Sequence, residues 1–415
     1  MNNLVGDVST AARILPLLEG ESLTIAKGKG AYLWDIHGKR YIDTALGFGA
    51  ILVGHADNKI NADVVDALTD GANLSWAHKR EKAAASVLTS FTENLNKVMF
   101  VNSGSEAVHL ACRAARAYTG KNKIAKAAAG FDGWFDAVTL GNINTKEAIF
   151  QAGQRPSTSN FTVFHYNDFD DIEKLFEEDQ DIAAILVEPM LANAGCIMAK
   201  ENYLQHLQAI AHKHGALLIC DEVLMGFRLE AKLSSHVMGL KPDIVTVGKA
   251  IGNGIPVAAV VSTQEILKDF EENKVSRGGT YSGNPLGAQA VISTLEILKN
   301  SDYKLLKDRG NQLIHEIKNI FKDHNIAVNM TGFGNVFTIW LGEQSPESYK
   351  ESLAIANNDF SRDLHLELRR EGVLIMPSPY GRIYISFEHD EDVLQEMLES
   401  FRKALPRLSE YKNMD

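Results

Sequence analysis

The chain has 415 residues, 45% hydrophobic and 23% charged, with a net charge of −11. That length supplies a large core and two domains, and the acidic balance, with no long basic run, argues against nucleic acid or an anionic membrane as main partner. Cys112, Cys196 and Cys220 are odd in number and form no CxxC, the pattern of reduced thiols in a cytoplasm. Met1 to Gly20 lacks a basic region followed by an apolar core, so no signal peptide is expected. No apolar run reaches the roughly 18 residues of a membrane span.

Residues 1–50 read as an N-terminal segment. Within it, Ala31-Tyr-Leu-Trp-Asp35 and Gly38-Lys-Arg-Tyr-Ile-Asp43 pattern as two strands about a His37-Gly38 turn. Thr44 to Gly54, rich in glycine and apolar residues and containing Phe48, fits either a pocket wall or a packed loop. Residues 51–298 alternate strand-like and helix-like segments, the signature of an α/β sheet with crossovers. Strands are predicted at Lys97–Val101, Ala184–Val187, Ala216–Ile219, Asp243–Val247 and Pro256–Val261. Helices are predicted over Ser105–Tyr118, after the turn Asn102-Ser-Gly-Ser-Glu106, and over Tyr203–His214. Residues 299–415 open on a helical stripe of Leu305, Leu306, Leu313, Ile314, Ile317, Ile320 and Phe321. A strand pair and two further helices complete a smaller α+β domain expected to close over the sheet edge. No repeat, low-complexity stretch or proline-rich linker separates these parts, so packed domains are expected.

Two apolar runs in the larger part end on charges: Ala216-Leu-Leu-Ile-Cys-Asp221 and, 28 positions later, Asp243-Ile-Val-Thr-Val-Gly-Lys249. A charge ending a buried strand is costly unless something pairs with it. The spacing suits one crossover between parallel strands. Asp221 and Lys249 should therefore share the sheet edge where α/β proteins bind ligands. A ligand that wants an anion on one side and an amine on the other fits, and pyridoxal phosphate is one. Lys249, partly buried, would lose its proton readily enough to form a Schiff base. Each motif has a plainer reading: Val-Gly-Lys suits a surface lysine and Asp221 an N-cap. Gly248-Lys249 is no phosphate-binding P-loop, since Ala250 stands where Ser or Thr would bind magnesium. Ser103, Gly104 and Ser105 open a helix after a strand, which suits either a phosphate or a simple N-cap. His212 and His214, two apart on a helix, offer no metal site.

Asp221-Glu-Val-x-x-Gly-Phe-Arg228 followed by Val247-Gly-Lys249 resembles the class III aminotransferases, among the fold-type-I pyridoxal-phosphate enzymes. Gly30-Ala-Tyr-Leu-Trp-Asp35, Asn102-Ser-Gly-Ser-Glu-Ala107, Glu188-Pro-x-x-x-Asn193 and Gly279-Thr-Tyr-Ser-Gly-Asn-Pro285 narrow the resemblance to the glutamate-1-semialdehyde aminomutase branch. These motifs keep the family's order over nearly the whole chain. The resemblance implies a large, mostly parallel, seven-stranded-type sheet domain with a smaller α+β domain, and a homodimer. It makes pyridoxal 5′-phosphate the cofactor, bound by Lys249. Asp221 would face the ring nitrogen, Val223 and Phe131 would pack on the ring, and Asn193 would lie near its phenolic oxygen. Ser103, Gly104 and Ser105 would hold the phosphate, joined across the dimer by Gly279 and Thr280 of the other subunit. One departure stands out: Gly130-Phe-Asp-Gly133 replaces the family's Tyr-His-Gly, losing a hydroxyl and a histidine.

On the substrate side, Thr10-Ala-Ala-Arg13 stands where the aminomutase branch has Ser-Pro-Val-Arg, whose arginine binds the substrate carboxylate. Arg382, in Tyr380-Gly-Arg382, is the competing clamp, and Phe48 is a candidate contact. The expected reaction is transfer of an amino group from an amino donor to a carbonyl compound. The alternatives are the aminomutase reaction itself, racemisation on the same scaffold, and a regulatory homologue that binds the cofactor without chemistry.

Overall fold

The structure, a computed structural model, describes residues 3–151 and 154–412. Near the N-terminus β1 (Ile25–Lys29), β2 (Tyr32–Asp35) and β3 (Arg40–Asp43) form an antiparallel meander. The expected His37-Gly38 turn joins β2 to β3. Gly38 is left-handed at φ 82°, and the Asp35 carboxylate accepts the N–H groups of His37 and Lys39, each at 2.9 Å. That is a side chain closing its own turn.

The central sheet has seven strands. They are β4 (Lys97–Val101), β5 (Lys123–Ala127), β6 (Phe161–Phe164), β7 (Ile182–Val187), β10 (Leu217–Glu222), β11 (Ile244–Val247) and β12 (Ala258–Ser262). A small hairpin, β8 (Met190–Leu191) with β9 (Ile197–Met198), follows β7. The spatial order is β4-β12-β11-β10-β7-β5-β6, and only β12 runs against the rest. Every residue of β7 and β10 is buried, which explains their unbroken apolar runs: both faces are covered, so nothing alternates. One cover is the helix Gly104–Thr119. Its sheet-facing side is Ala107, Ala111, Cys112, Ala114 and Ala115, small residues that permit close approach, and it stops at left-handed Gly120.

In the C-terminal part β13 (Val328–Phe333), β14 (Val336–Leu341) and β16 (Arg382–Tyr384) make an antiparallel sheet, while β15 (Val373–Leu374) joins β3 in parallel. The N-terminal segment and the C-terminal part thus share a sheet. A single apolar cluster runs from Ile42 through Val247 to Leu313 and Phe401. Two expectations need correction. Leu305 is exposed, because the helix Tyr303–Asp323 buries the stripe of Leu306, Leu313, Ile317, Ile320 and Phe321 instead. Among the described residues three α-helices follow β14, not two. The extra one, Tyr349–Ile355, has only seven residues and buries only Tyr349 and Ser352, too few for a visible period. All three cysteines are buried and free. Among the described residues no helix is long and apolar enough to cross a membrane.

Candidate active site

Strands β10 and β11 are parallel neighbours, with Asp221 in register with Thr246. The chain leaves β11 at Gly248, so Asp221 and Lys249 emerge at one edge, as the spacing implied. Asp221 accepts the Val223 N–H and the Thr246 hydroxyl, both at 2.9 Å, and makes no ion pair among the described residues. Burial, then the Asp132 charge, pushes its carboxyl up to about 7. A buried carboxylate without a cation suits a ligand with a protonated ring nitrogen. Glu222 points to the other face, where the Ser234 and Ser235 N–H groups hold it. Burial, then the Arg382 guanidinium, lowers the Lys249 ammonium to about 8, against the pull of Glu188 and Asp221. Lys249 is itself left-handed, at φ 46°. A β-carbon is unfavourable there, and such strain persists where surrounding packing over-determines it.

Val223 binds this edge together. A β-carbon on Gly104 would stand 2.8 Å from Val223 Cγ1, and one on Gly248 3.4 Å from the same methyl. The Ser103–Ser105 turn, Val223 and the Lys249 turn therefore bound one space. Ser103 is also a true N-cap: its Oγ accepts the Glu106 N–H at 3.3 Å, and Glu106 reaches back to the Asn102 N–H at 2.9 Å. The plain and the functional readings of this turn coexist, since the N–H groups of Gly104 and Ser105 begin the helix and point out of it. Phe131 leads into Gly133 and Trp134, which pack on Ser105, and is 45% exposed. Its N–H donates to Glu188 Oε1 at 2.9 Å. Asn193, half-buried, follows the β8 strand.

The substrate candidates separate. Arg13 and Thr10 are exposed on a short 3₁₀ turn that buries no residue, and no side-chain contact ties them to Lys249. Arg382 is brought in. It is half-buried, its charge acts on Lys249, and it donates Nε to Tyr384 Oη at 2.9 Å without a carboxylate partner among the described residues. Phe48 is half-buried in a left-handed run, Leu46 to Gly49. The Gly49 carbonyl accepts from the wholly buried Arg228, which lies 5.1 Å over the Tyr384 ring. Tyr384 thus links the Phe48 turn to Arg382. Gly279 and Thr280 lie apart, in an exposed loop where the Thr280 carbonyl accepts from Asn73 at 3.1 Å. Sequence reasoning missed Thr246, Tyr384 and Asn253. Asn253 Oδ1 accepts the N–H groups of Leu52 and Val53 at 2.9 and 3.0 Å, pinning the Thr44–Gly54 stretch to the Lys249 turn. Its signal, Gly252-Asn-Gly254, reads as an ordinary turn.

These parts make a cradle: a buried carboxylate without an ion-pair partner, an amine whose proton is held weakly, a helix N-terminus and a partly exposed aromatic ring. The model of the class-III aminotransferase family matches residues 19–405. The chain belongs to the class-III aminotransferases. As such it is an enzyme with the fold-type-I architecture, and pyridoxal 5′-phosphate is its cofactor. This class-III aminotransferase is 32% identical, over 391 residues and 92% of each chain, to a glutamate-1-semialdehyde 2,1-aminomutase of Thermoplasma volcanium. It superposes with a TM-score of 0.88 and 28% identity on an omega-transaminase from Sphaerobacter thermophilus, covering 97% of this chain and 94% of that one. A glutamate-1-semialdehyde-aminomutase of Pseudomonas aeruginosa shares the fold, with a TM-score of 0.83 at 22% identity over 93% and 88% of the two chains.

Proposed function

We propose that this enzyme moves an amino group from a carboxylate-bearing amino donor to a carbonyl compound. Lys249 carries the proton, and Asp221 is the anion at the ring nitrogen. The observation that carries the reading is the placement at one sheet edge of a buried Asp221 without an ion-pair partner, on β10, and a half-buried Lys249, in the turn just after the parallel β11. Bound pyridoxal phosphate supplies an aldehyde to take the donor's amine and a ring to take up electron density. Lys249 Nζ, neutral in good part above about pH 8, accepts the proton that leaves the donor's carbon and returns it. Asp221 keeps the ring nitrogen protonated. Ser103, Gly104 and Ser105 hold the phosphate with helix N-terminal N–H groups. Val223 and Phe131 pack on the ring, and Asn193 donates to its phenolic oxygen. Arg382 grips the donor carboxylate as a planar fork. Gly279 and Thr280, exposed in this chain, complete the phosphate site of a partner subunit, so the active unit is a homodimer in the cytoplasm.

A second reading, the aminomutase, is favoured by relatives that bear that name at 32% and 33% identity. The two separate in one experiment. Glutamate-1-semialdehyde is supplied to the loaded enzyme alone, and separately with an amino donor and a panel of carbonyl acceptors. The aminotransferase releases a stoichiometric oxo acid from the donor and turns over only with an acceptor. Isomerisation of glutamate-1-semialdehyde at a steady rate without any second substrate would overturn the first reading in favour of the second.

A further inference from the structure

Four successive residues of the turn after β5 are each held by a different partner. Phe131 N–H donates to Glu188, and Asp132 Oδ2 faces Lys126 Nζ at 3.0 Å. Asn142 Nδ2 donates to the Gly133 carbonyl at 3.0 Å, and Trp134 N–H donates to Ser105 Oγ at 3.2 Å. Lys126 is wholly buried, and it donates also to the Val138 carbonyl at 2.9 Å and to Asn142 Oδ1. Its pairing with Asp132 is close but not aligned as a hydrogen bond, so both Asp132 oxygens are left without a donor. Glu188 is equally buried. A β-carbon on Gly130 would stand 3.0 Å from Asp132 Oδ2 and 3.6 Å from Glu188 Oε1, so the two carboxyls flank one point. Two neighbouring carboxyls in a dry interior, with one ammonium as direct partner, do not both ionise.

We propose that Asp132 is a positioning residue: without touching, it and Glu188 hold one proton between them through their charges, and the single charge left, on Asp132 beside Lys126, fixes the turn that carries Phe131. The positioning role rests on the functional reading above, in which Phe131 packs on the cofactor ring. The groups that face the pair are Lys126 from β5, Asp221 from β10, Lys249 from the turn after β11 and the Cys112 thiol from the helix Gly104–Thr119. Tyr166 and the Cys220 thiol also lie close to Glu188, and Arg382 reaches toward it from β16. Burial first, then the charges of Asp132 and Asp221, holds the Glu188 carboxyl up at about 8. Burial raises the Asp132 carboxyl as well, with Lys126 opposing.

The test is melting temperature against pH on the full chain without cofactor, for wild type, Asp132→Asn, Glu188→Gln and the double variant. A carboxyl that binds its proton more tightly in the fold than in the unfolded chain loses stability as pH rises, here from about 4.5 to about 8. Each single variant is expected to flatten that decline, and the double to add almost nothing to either, because one substitution already dissolves the shared proton. Additive flattening would overturn the sharing. So would a uniform fall in melting temperature for Asp132→Asn at every pH, the mark of a merely structural role. Should Asp132→Asn fail to fold, Glu188→Gln decides alone, and a wild-type slope there overturns the proposal. With pyridoxal phosphate present, Asp132→Asn should bind it about three- to tenfold more weakly, the worth of one positioned hydrogen bond. Unchanged affinity would overturn the positioning role. The cofactor-free slopes judge the shared proton whatever the reaction, whereas a wild-type chain that captured no cofactor would overturn the functional reading and the positioning role with it.

Discussion

The sheet edge and the N-terminal arm each offer charges to a ligand, but they hold them in opposite ways. At the edge, Asp221 sits in a strand whose six residues are all buried, and a parallel neighbour fixes its register with Thr246. Lys249 follows in a left-handed backbone that packing imposes. In the arm, Arg13 closes a three-residue turn with no buried member. The ladder in which Asp221 is itself paired dictates where it points, whereas nothing among the described residues dictates where Arg13 points. Charges that do chemistry need the first kind of support. A charge on a free arm acquires it only from a partner or a ligand.

That contrast can be broken by substitution. Asp221→Asn keeps the shape of the buried site but removes the anion that keeps the ring nitrogen protonated. Turnover should fall by several orders of magnitude while the melting temperature holds. Near-normal single-turnover rates would put the edge on the same footing as the arm. Arg382→Ala should weaken an amino-acid donor such as glutamate by about ten- to a hundredfold, the value of charge-assisted hydrogen bonds, and Arg382→Lys should recover part of it. Arg13→Ala should leave donor affinity unchanged in the same titration. The reverse outcome would move the carboxylate site to the arm. Asn253→Ala strips the acceptor from the Leu52 and Val53 N–H groups, at a cost of about 1–3 kcal/mol per buried group left unsatisfied. A lowered melting temperature with unchanged cofactor affinity would show that the contact only joins segments. Weakened cofactor binding would extend the rigid edge to the Thr44–Gly54 stretch.

The edge was legible in the sequence for the same reason it is rigid. Continuous apolar runs marked β7, β10, β11 and β12 to within three residues of their bounds, and the charges ending two of them marked the site. β5 was not legible. Lys123-Ile-Ala-Lys-Ala127 reads as half-exposed, and the burial of Lys126 depends on Asp132, Asn142 and Val138, which only the folded turn brings round. Arg382 was legible as a candidate but not as the nearer one, because its approach to Lys249 is set by the pairing of β14 with β16 and by Tyr384. The spacing of Arg13 before Gly30 matched a family element, but spacing along a chain says nothing about burial. The loop of Gly279 and Thr280 shows the same limit: its motif is plain, and its proposed phosphate lies on another subunit.

The central claim is that Lys249 is the amine this fold prepares, and borohydride reduction of the pyridoxal-phosphate-loaded enzyme tests it most directly. Reduction should fix the cofactor to one peptide, the one containing Lys249. The yield should rise as the pH of loading approaches about 8, where the ammonium gives up its proton. Lys249→Ala should bind the cofactor and retain none after reduction and denaturation. Stoichiometric label on Lys126 or on any other lysine, with Lys249 unmodified, would contradict the account.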